Sequence, residues 1–237
     1  MTAFTVKMIA IATMLIDHAG AVFDLPIETR IIGRIAFPLF VYLIAEGCKH
    51  TKSMEKYMLR LGIFALISEI PFDLAFNQVP GQPLRVDFFN DTNIFYTLFL
   101  GVACVYVVRR ILEASRPTLW ILIPLPIITA MAAADWLSTD YHHIGVLFIF
   151  FTAIVSKNKL AQLVSMALFS FWLYFPRVMA VDFAVNPIPI YMLASCLTAV
   201  LIVALANGER GRPVKWLFYI IYPAHLLLFW GATLLFT

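Results

Sequence analysis

The stretch from Ile121 to Ala134 carries no ionisable side chain and is apolar around its whole circumference, and it is one of many such windows in the chain. That feature decides the fold class. A helix crossing the hydrocarbon core needs about 20 mainly apolar residues, and in lipid every backbone N–H and C=O must be satisfied inside the segment. A transmembrane barrel would alternate apolar and polar residues over short strands, a pattern this stretch lacks. Hydrophobic residues make up 62% of the chain and charged residues 13%, well beyond the apolar share of a globular domain. The expected fold is all-α: a polytopic transmembrane helix bundle forming a single domain over residues 1–237.

Apolar windows bounded by charge or turn residues predict helices near 5–23, 31–47, 57–76, 92–110, 118–136, 141–156, 160–176, 188–206 and 214–236. That makes about nine spans, with eight to ten compatible, since boundaries are soft by roughly two to four residues and 141–176 fits one long or two short crossings. Lys and Arg in short loops are retained on the cytoplasmic side. Lys7, then Lys49, Lys52, Lys56 and Arg60, then Arg109, Arg110 and Arg116, then Lys157 and Lys159, then Arg210, Arg212 and Lys215 all fall on one side if the spans alternate. The opposite set is only Arg30, Arg34, Arg85 and Arg177. The N-terminus is therefore expected in the cytoplasm and the C-terminus outside. Lys7, Met8 to Ile16 and Ala19-Gly20-Ala21 loosely imitate a cleaved signal peptide, but Asp17-His18 just before the cleavage point fits an export signal poorly.

Cys48, Cys104 and Cys196 share no close spacing, so neither a metal site nor a disulfide framework is expected. The adjacent side chains of His142 and His143 diverge on a helix, which disfavours shared zinc ligation. A net charge of +3, spread over short loops, reads as membrane topology and gives no case for nucleic acid.

Ionisable groups at membrane depth cost several kcal/mol unless paired or wetted, so each one is a functional candidate. Lys7 and His18 are separated by about three helical turns, roughly 16 Å of rise, and lie on nearly the same face. One stripe then carries a cation at the cytoplasmic end and an imidazole in the outer half. Asp17, Arg34, Glu69, Asp73, Asn93, Thr97, Asp135, Asp140, His142 and His143 fall at a similar outer depth. Arg34 could pair with Asp17 or Glu69, and a purely structural ion-pair layer would explain the same residues. His225 follows Pro223 near the middle of the last window, where a kink would open space or simply serve packing.

Taken together, Lys7 to His18 with Asp17, the run Arg30-Ile-Ile-Gly-Arg34-Ile-Ala-Phe-Pro-Leu-Phe40, Glu46-Gly47, Tyr57 to Arg60 and Ser68-Glu69-Ile-Pro-Phe72 resemble the TraX family. The resemblance continues through Asn93, Thr97 and Gly101, Asp140-Tyr141 with Gly145-Val146, and Tyr222-Pro223-Ala224-His225-Leu226. It spans nearly the whole chain and is densest over residues 5–101. One departure is His142, where a small residue would be expected after the Asp-Tyr pair.

The TraX family is associated with N-terminal acetylation of conjugative pilin and is similar to the broader membrane acyltransferase-3 group, whose first-helix pattern of a basic residue, ten positions and a His is matched by Lys7 and His18. The resemblance implies an acetyl-CoA-dependent acyltransferase of the bacterial inner membrane, acting on an exported acceptor, either a pilin-like N-terminus or an envelope glycan or lipid. It gives His18 the part of catalytic base or acyl carrier. Acyl transfer does need a base or a nucleophile and a partner for the oxyanion. Beside His18, Asp17 and Arg34 are the catalytic candidates, Arg34 also as a partner for the oxyanion. Glu69, Asn93, Tyr222 and His225 are candidates for the substrate and oxyanion, and Lys7, Lys49, Arg60 and Lys215 for the CoA phosphates at the cytoplasmic mouth. No metal is expected. Two other classes stay open: a transporter or flippase using the polar layer as a path, and a non-enzymatic assembly factor for envelope proteins.

Overall fold

A computed structural model describes residues 1–78, 85–114, 116–181, 185–212, 214 and 216–236. Lys215 lies outside the described residues.

Helices begin where a short polar side chain can satisfy the free N–H groups of a first turn. Thr2 caps α1 (Ala3–Val22) by accepting from Thr5 N at 3.4 Å, and Ser53 caps α4 (Met54–Phe72) by accepting from Lys56 N at 3.2 Å. Between them lie α2 (Ile27–Gly33) and α3 (Ala36–His50), which the Arg34-Ile35 step joins into one stretch, Ile27–His50. Asn93 caps α5 (Ile94–Glu113) and Asn158 caps α8 (Lys159–Met179) in the same way. A 3-10 turn, Pro117–Leu122, leads into α6 (Pro124–Trp136). The remaining helices are α7 (His142–Ile154), α9 (Ile188–Ala204) and α10 (Leu217–Phe236). Each predicted window finds a helix, and the 141–176 region resolves into two, α7 and α8.

Five stretches are long and apolar enough to cross a membrane by length and composition: Ala3–Val22, Ile27–His50, Ile94–Glu113, Pro117–Trp136 and Leu217–Leu235. The described residues thus form an all-helical bundle with five candidate spans, with α7 and α9 as shorter apolar helices. Burial ranks them: 61% of the Ile27–His50 window is inside the bundle against 11% of Pro117–Trp136. Helix α3 is therefore the central post, contributing Leu39, Val41 and Ala45 to a core with Val6 and Ala10 of α1, Leu98 and Val102 of α5 and Ile149 of α7. The 3-10 turn and α6 together point Ile121, Leu125 and Ile128 outward, as a helix facing lipid can without penalty.

Contacts between connections sort them to two ends of the bundle. At one end the amino group of Met1 donates to Leu205 O at 2.8 Å, Ala3 N to Glu209 O at 2.8 Å, Arg109 Nη1 to Cys48 O at 2.7 Å and Lys159 Nζ to Val203 O at 2.7 Å. At the other, Arg30 and Arg34 meet Asp17, the Thr97 hydroxyl donates to Asp140 O, and Asp135 meets His143. Of the larger basic set read from sequence, Arg109 and Lys159 thus lie at one end, and of the smaller, Arg30 and Arg34 lie at the other. In the α4 to α5 connection Asp87 accepts from Asn90 Nδ2 at 2.9 Å and from Phe89 N at 3.0 Å, which holds its carboxyl below the usual carboxylate range.

Helix α4 contains Pro71, whose missing N–H interrupts the α ladder, and a π-helical turn, Asp73–Asn77, follows at once. Phe72, just before that turn, and Phe76, within it, face the same space, their rings 5.1 Å apart.

Candidate functional site

Two cavities lie at successive depths between the helices. The inner one, of about 210 Å³, is bounded by α1, the α2 to α3 joint, the end of α4, the start of α5, the Asp140-Tyr141 turn and α10. Its polar wall is built on Asp17. Arg30 Nη1 lies 3.1 Å from Asp17 Oδ2 and donates to Asp17 O at 2.9 Å. Arg34 Nη2 lies 3.1 Å from Oδ1 without the angle of a hydrogen bond, so it balances charge more than it donates. Such proximity requires bare backbone at Gly33: a Cβ there would collide with the Asp17 carboxylate. Of the two partners open to Arg34 in the sequence, the structure therefore shows Asp17. Glu69 is held elsewhere, accepting from Asn93 N at 3.2 Å and Asn93 Nδ2 at 2.5 Å.

His18 is partly exposed in the chamber wall. Its Nδ1 lies 2.6 Å from His225 Nε2, and His225 Nδ1 lies 2.7 Å from Ile221 O. A carbonyl can only accept, so the proton of a neutral His225 sits on Nδ1 and its Nε2 accepts from His18 Nδ1. The same logic leaves the Nε2 of a neutral His18 with its lone pair and without a proton. The four-residue spacing of Ile221 and His225 on α10 puts the accepting carbonyl one helical turn from the ring it fixes. Phe76 presents an edge to the His18 ring at 5.3 Å and Tyr222 at 5.8 Å.

Tyr141 closes the chamber beside Arg34. Its ring stacks on Phe37 at 3.7 Å with 5° between planes, and both Tyr141 and His142 have left-handed backbone, φ 66° and 48°. The small residue expected at 142 has a physical reason here, because positive φ crowds a Cβ. His142 accommodates it on an exposed turn.

The outer cavity, of about 770 Å³, opens at the end of the bundle where the larger basic set gathers. Lys7, Lys52, Lys56, Arg60, Arg210 and Arg212 line it, against one carboxylate, Glu46. Glu46 is already engaged by His50 at 3.2 Å and Lys49 at 3.7 Å. Arg60 lays its guanidinium over the Tyr57 ring, 5.7 Å from the centroid, and beside Tyr219, which fixes its charge in the vestibule wall.

The sequence candidates divide accordingly. Asp17, His18, Arg34 and Tyr222 line the inner chamber, and His225 touches it through His18. Glu69 and Asn93 sit behind the wall, fully buried, where Asn93 also donates to Ala65 O and caps α5. Lys7 and Arg60 line the basic vestibule, whereas Lys49 lies at its margin on Glu46. Sequence reasoning left out Arg30 and Tyr141 as chamber walls and did not single out Lys52, Lys56, Arg210 and Arg212 as one vestibule. The first pair could have been found from the Asp17 carboxylate needing a second cation. The vestibule could not, because it assembles loops far apart in the chain.

Fold and site together define a helical membrane protein with an imidazole pair in a polar chamber and a cationic vestibule on the same first helix. The sequence model of the family described as "TraX protein" matches residues 3–233, and the chain belongs to that family. A relative from Dichelobacter nodosus, named "Probable fimbrial assembly protein FimC, serogroup H1", is 29% identical over 98% of this chain and 95% of its own length. No solved structure matches.

Proposed function

We propose that the chain is a membrane acyltransferase that takes an acetyl group from acetyl-CoA held in the vestibule and delivers it at the inner chamber to an exported acceptor, a pilin-like N-terminus or an envelope glycan or lipid. In this reading all nine helical stretches cross a bacterial inner membrane, with the N-terminus and vestibule cytoplasmic and the C-terminus outside. The observation that carries it is the His18–His225 bond: with Nδ1 occupied at 2.6 Å, His18 offers Nε2 as a base in a site of low dielectric.

His18 Nε2 removes the proton of the attacking amine or hydroxyl as the new bond to the acyl carbon forms, and returns it to the thiolate that leaves as the carbon–sulfur bond breaks. Among the oxyanion candidates, Asn93 spends its amide on Glu69 and Ala65 O, and the imidazole of His225 is engaged at both nitrogens. Arg34, whose guanidinium lines the chamber and meets Asp17 through Nη2 alone, suits that role as a cation, with Asp17 holding it in place. The cations of the vestibule suit the phosphates of the donor.

The test is purified protein with labelled acetyl-CoA and an acceptor peptide or envelope extract. His18→Ala should abolish transfer without lowering expression, and full retention would remove the catalytic assignment. A second reading, a non-enzymatic assembly factor, is favoured by the name of the Dichelobacter relative. Under it, fimbrial assembly would survive substitutions at His18, Arg34 and His225 in any variant that folds.

A further inference from the structure

The two cavities share two lining residues, Phe40 of α3 and Phe218 of α10. Their ring centroids are 4.8 Å apart with 40° between planes, a contact distance for aromatic rings. Both side chains are buried. The pair therefore stands between a vestibule of about 770 Å³ and a chamber less than a third of that size.

The two rings are not held alike. Phe218 is backed by Phe95, fully buried, at 5.2 Å and flanked by Tyr219 at 5.7 Å. Among the described ring contacts Phe40 has Phe218 alone. Phe218 is thus the face backed by other rings, while Phe40, which borders both cavities with no second ring behind it, is the one taken to turn. Lys7 and His18 mark the two sides on a single helix, roughly 16 Å apart along its axis. Anything that binds by its phosphates beside Lys7 and reacts beside His18 must pass an extended arm between these rings.

We propose that Phe40 and Phe218 form the aperture through which the acyl end of the thioester reaches His18, and that the width it opens to sets the size of acyl group transferred. This rests on the acyltransferase reading. A two-carbon acyl group needs only a partial swing of Phe40, and the small chamber behind it has little room for a longer tail. The aperture also keeps vestibule water from the chamber while no arm occupies it, which limits loss of the acyl group to hydrolysis.

Two readouts keep the aperture and the chemistry distinguishable. In sealed vesicles with the vestibule facing the medium, a single thiol is introduced at Met14, which lines only the inner chamber, or at Leu43, which lines only the vestibule, with the native cysteines replaced by Ser. A charged, membrane-impermeant thiosulfonate should modify Leu43→Cys quickly in every background. It should modify Met14→Cys at least about tenfold faster once Phe40→Ala or Phe218→Ala is added. Equal rates at Met14 with and without the aromatic pair would overturn the aperture, whether or not the protein transfers acetyl. In the second readout, acetyl-CoA and hexanoyl-CoA are compared as donors. Phe40→Ala should raise hexanoyl relative to acetyl transfer at least about tenfold, and Phe40→Leu, a milder change that preserves packing, should move the ratio the same way by less. An unchanged ratio in both variants would overturn the selectivity. Faster Met14 labelling with no transfer from any donor would support the aperture and remove the acyltransferase reading instead.

Discussion

His225 holds His18 by one ring nitrogen, at 2.6 Å, and is itself anchored to Ile221 O at 2.7 Å. The chain of bonds runs one way, from His18 through His225 to a carbonyl, so the second histidine fixes both the tautomer and the orientation of the first. Replacing it should misplace the base and leave its chemistry intact. Acyl transfer by His225→Ala is expected to fall about a hundredfold, the scale of a misplacement of an ångström or so. His225→Gln, whose side-chain carbonyl can also accept from His18 Nδ1, should recover part of that loss. Rates measured at saturating and at limiting acetyl-CoA will show the loss in kcat, with KM for the donor little moved. Equal loss in the two variants would speak against orientation.

Asp17 lies between two guanidinium groups, 3.1 Å from each. Removing the carboxylate leaves two cations facing each other in a half-buried wall. Asp17→Ala should therefore destabilise the bundle by about 3 kcal/mol, the low end for a broken buried pair because Arg30 keeps some solvent. Adding Arg34→Ala should return part of that loss. Denaturation in mixed micelles followed by helix signal gives both numbers, and strict additivity of the two substitutions would mean that the pair is not coupled.

Gly33 and Gly231 make a matched comparison. At Gly33 a Cβ would collide with Asp17, whereas at Gly231 on α10 it would meet nothing within 4 Å. Gly33→Ala should cost about 1–3 kcal/mol through forced displacement of the Asp17 clamp. Gly231→Ala should be neutral or stabilise by up to about 1 kcal/mol, as expected in a helix interior. Loss of stability at both positions would show that the close approach at Gly33 is not what matters.

Six cations against a single, already paired carboxylate line the vestibule, so the proposed donor binding there should be electrostatic. Affinity for CoA, measured by calorimetry in detergent, should weaken about tenfold as ionic strength rises from roughly 0.05 to 0.5 M. Arg60→Ala should weaken it further, most strongly at low salt, since it removes one of the six charges lining the vestibule. Binding indifferent to salt would place the donor elsewhere.

The helices themselves were legible because lipid leaves few alternatives to a long apolar helix: every window read from 5–23 to 214–236 meets one, and Ser53, Asn93 and Asn158 stand at the starts. The Lys7–His18 stripe was legible for the same reason, being a matter of spacing within one helix. What could not be read was which helix lies beside which. His18 and His225 are 207 positions apart, and no local periodicity tells α1 that α10 is its neighbour. Phe40 and Phe218 were invisible for another reason: an aromatic ring in an apolar window has no contrast with its surroundings. The partner of Arg34 needed the structure because Asp17 and Glu69 lie at similar depths, and only the bare backbone at Gly33 and the claim of Asn93 on Glu69 decide between them.

The turn at Asp73–Asn77 holds one more residue per cycle than the helix it ends. It works as a spacer at the end of a screw thread, setting Phe76 off from where the ordinary pitch would carry it. Shortening the chain by a single position there would restore the ordinary pitch and carry the Phe76 ring away from the edge of His18, leaving the chamber open on the α4 side while the rest of the bundle stays assembled.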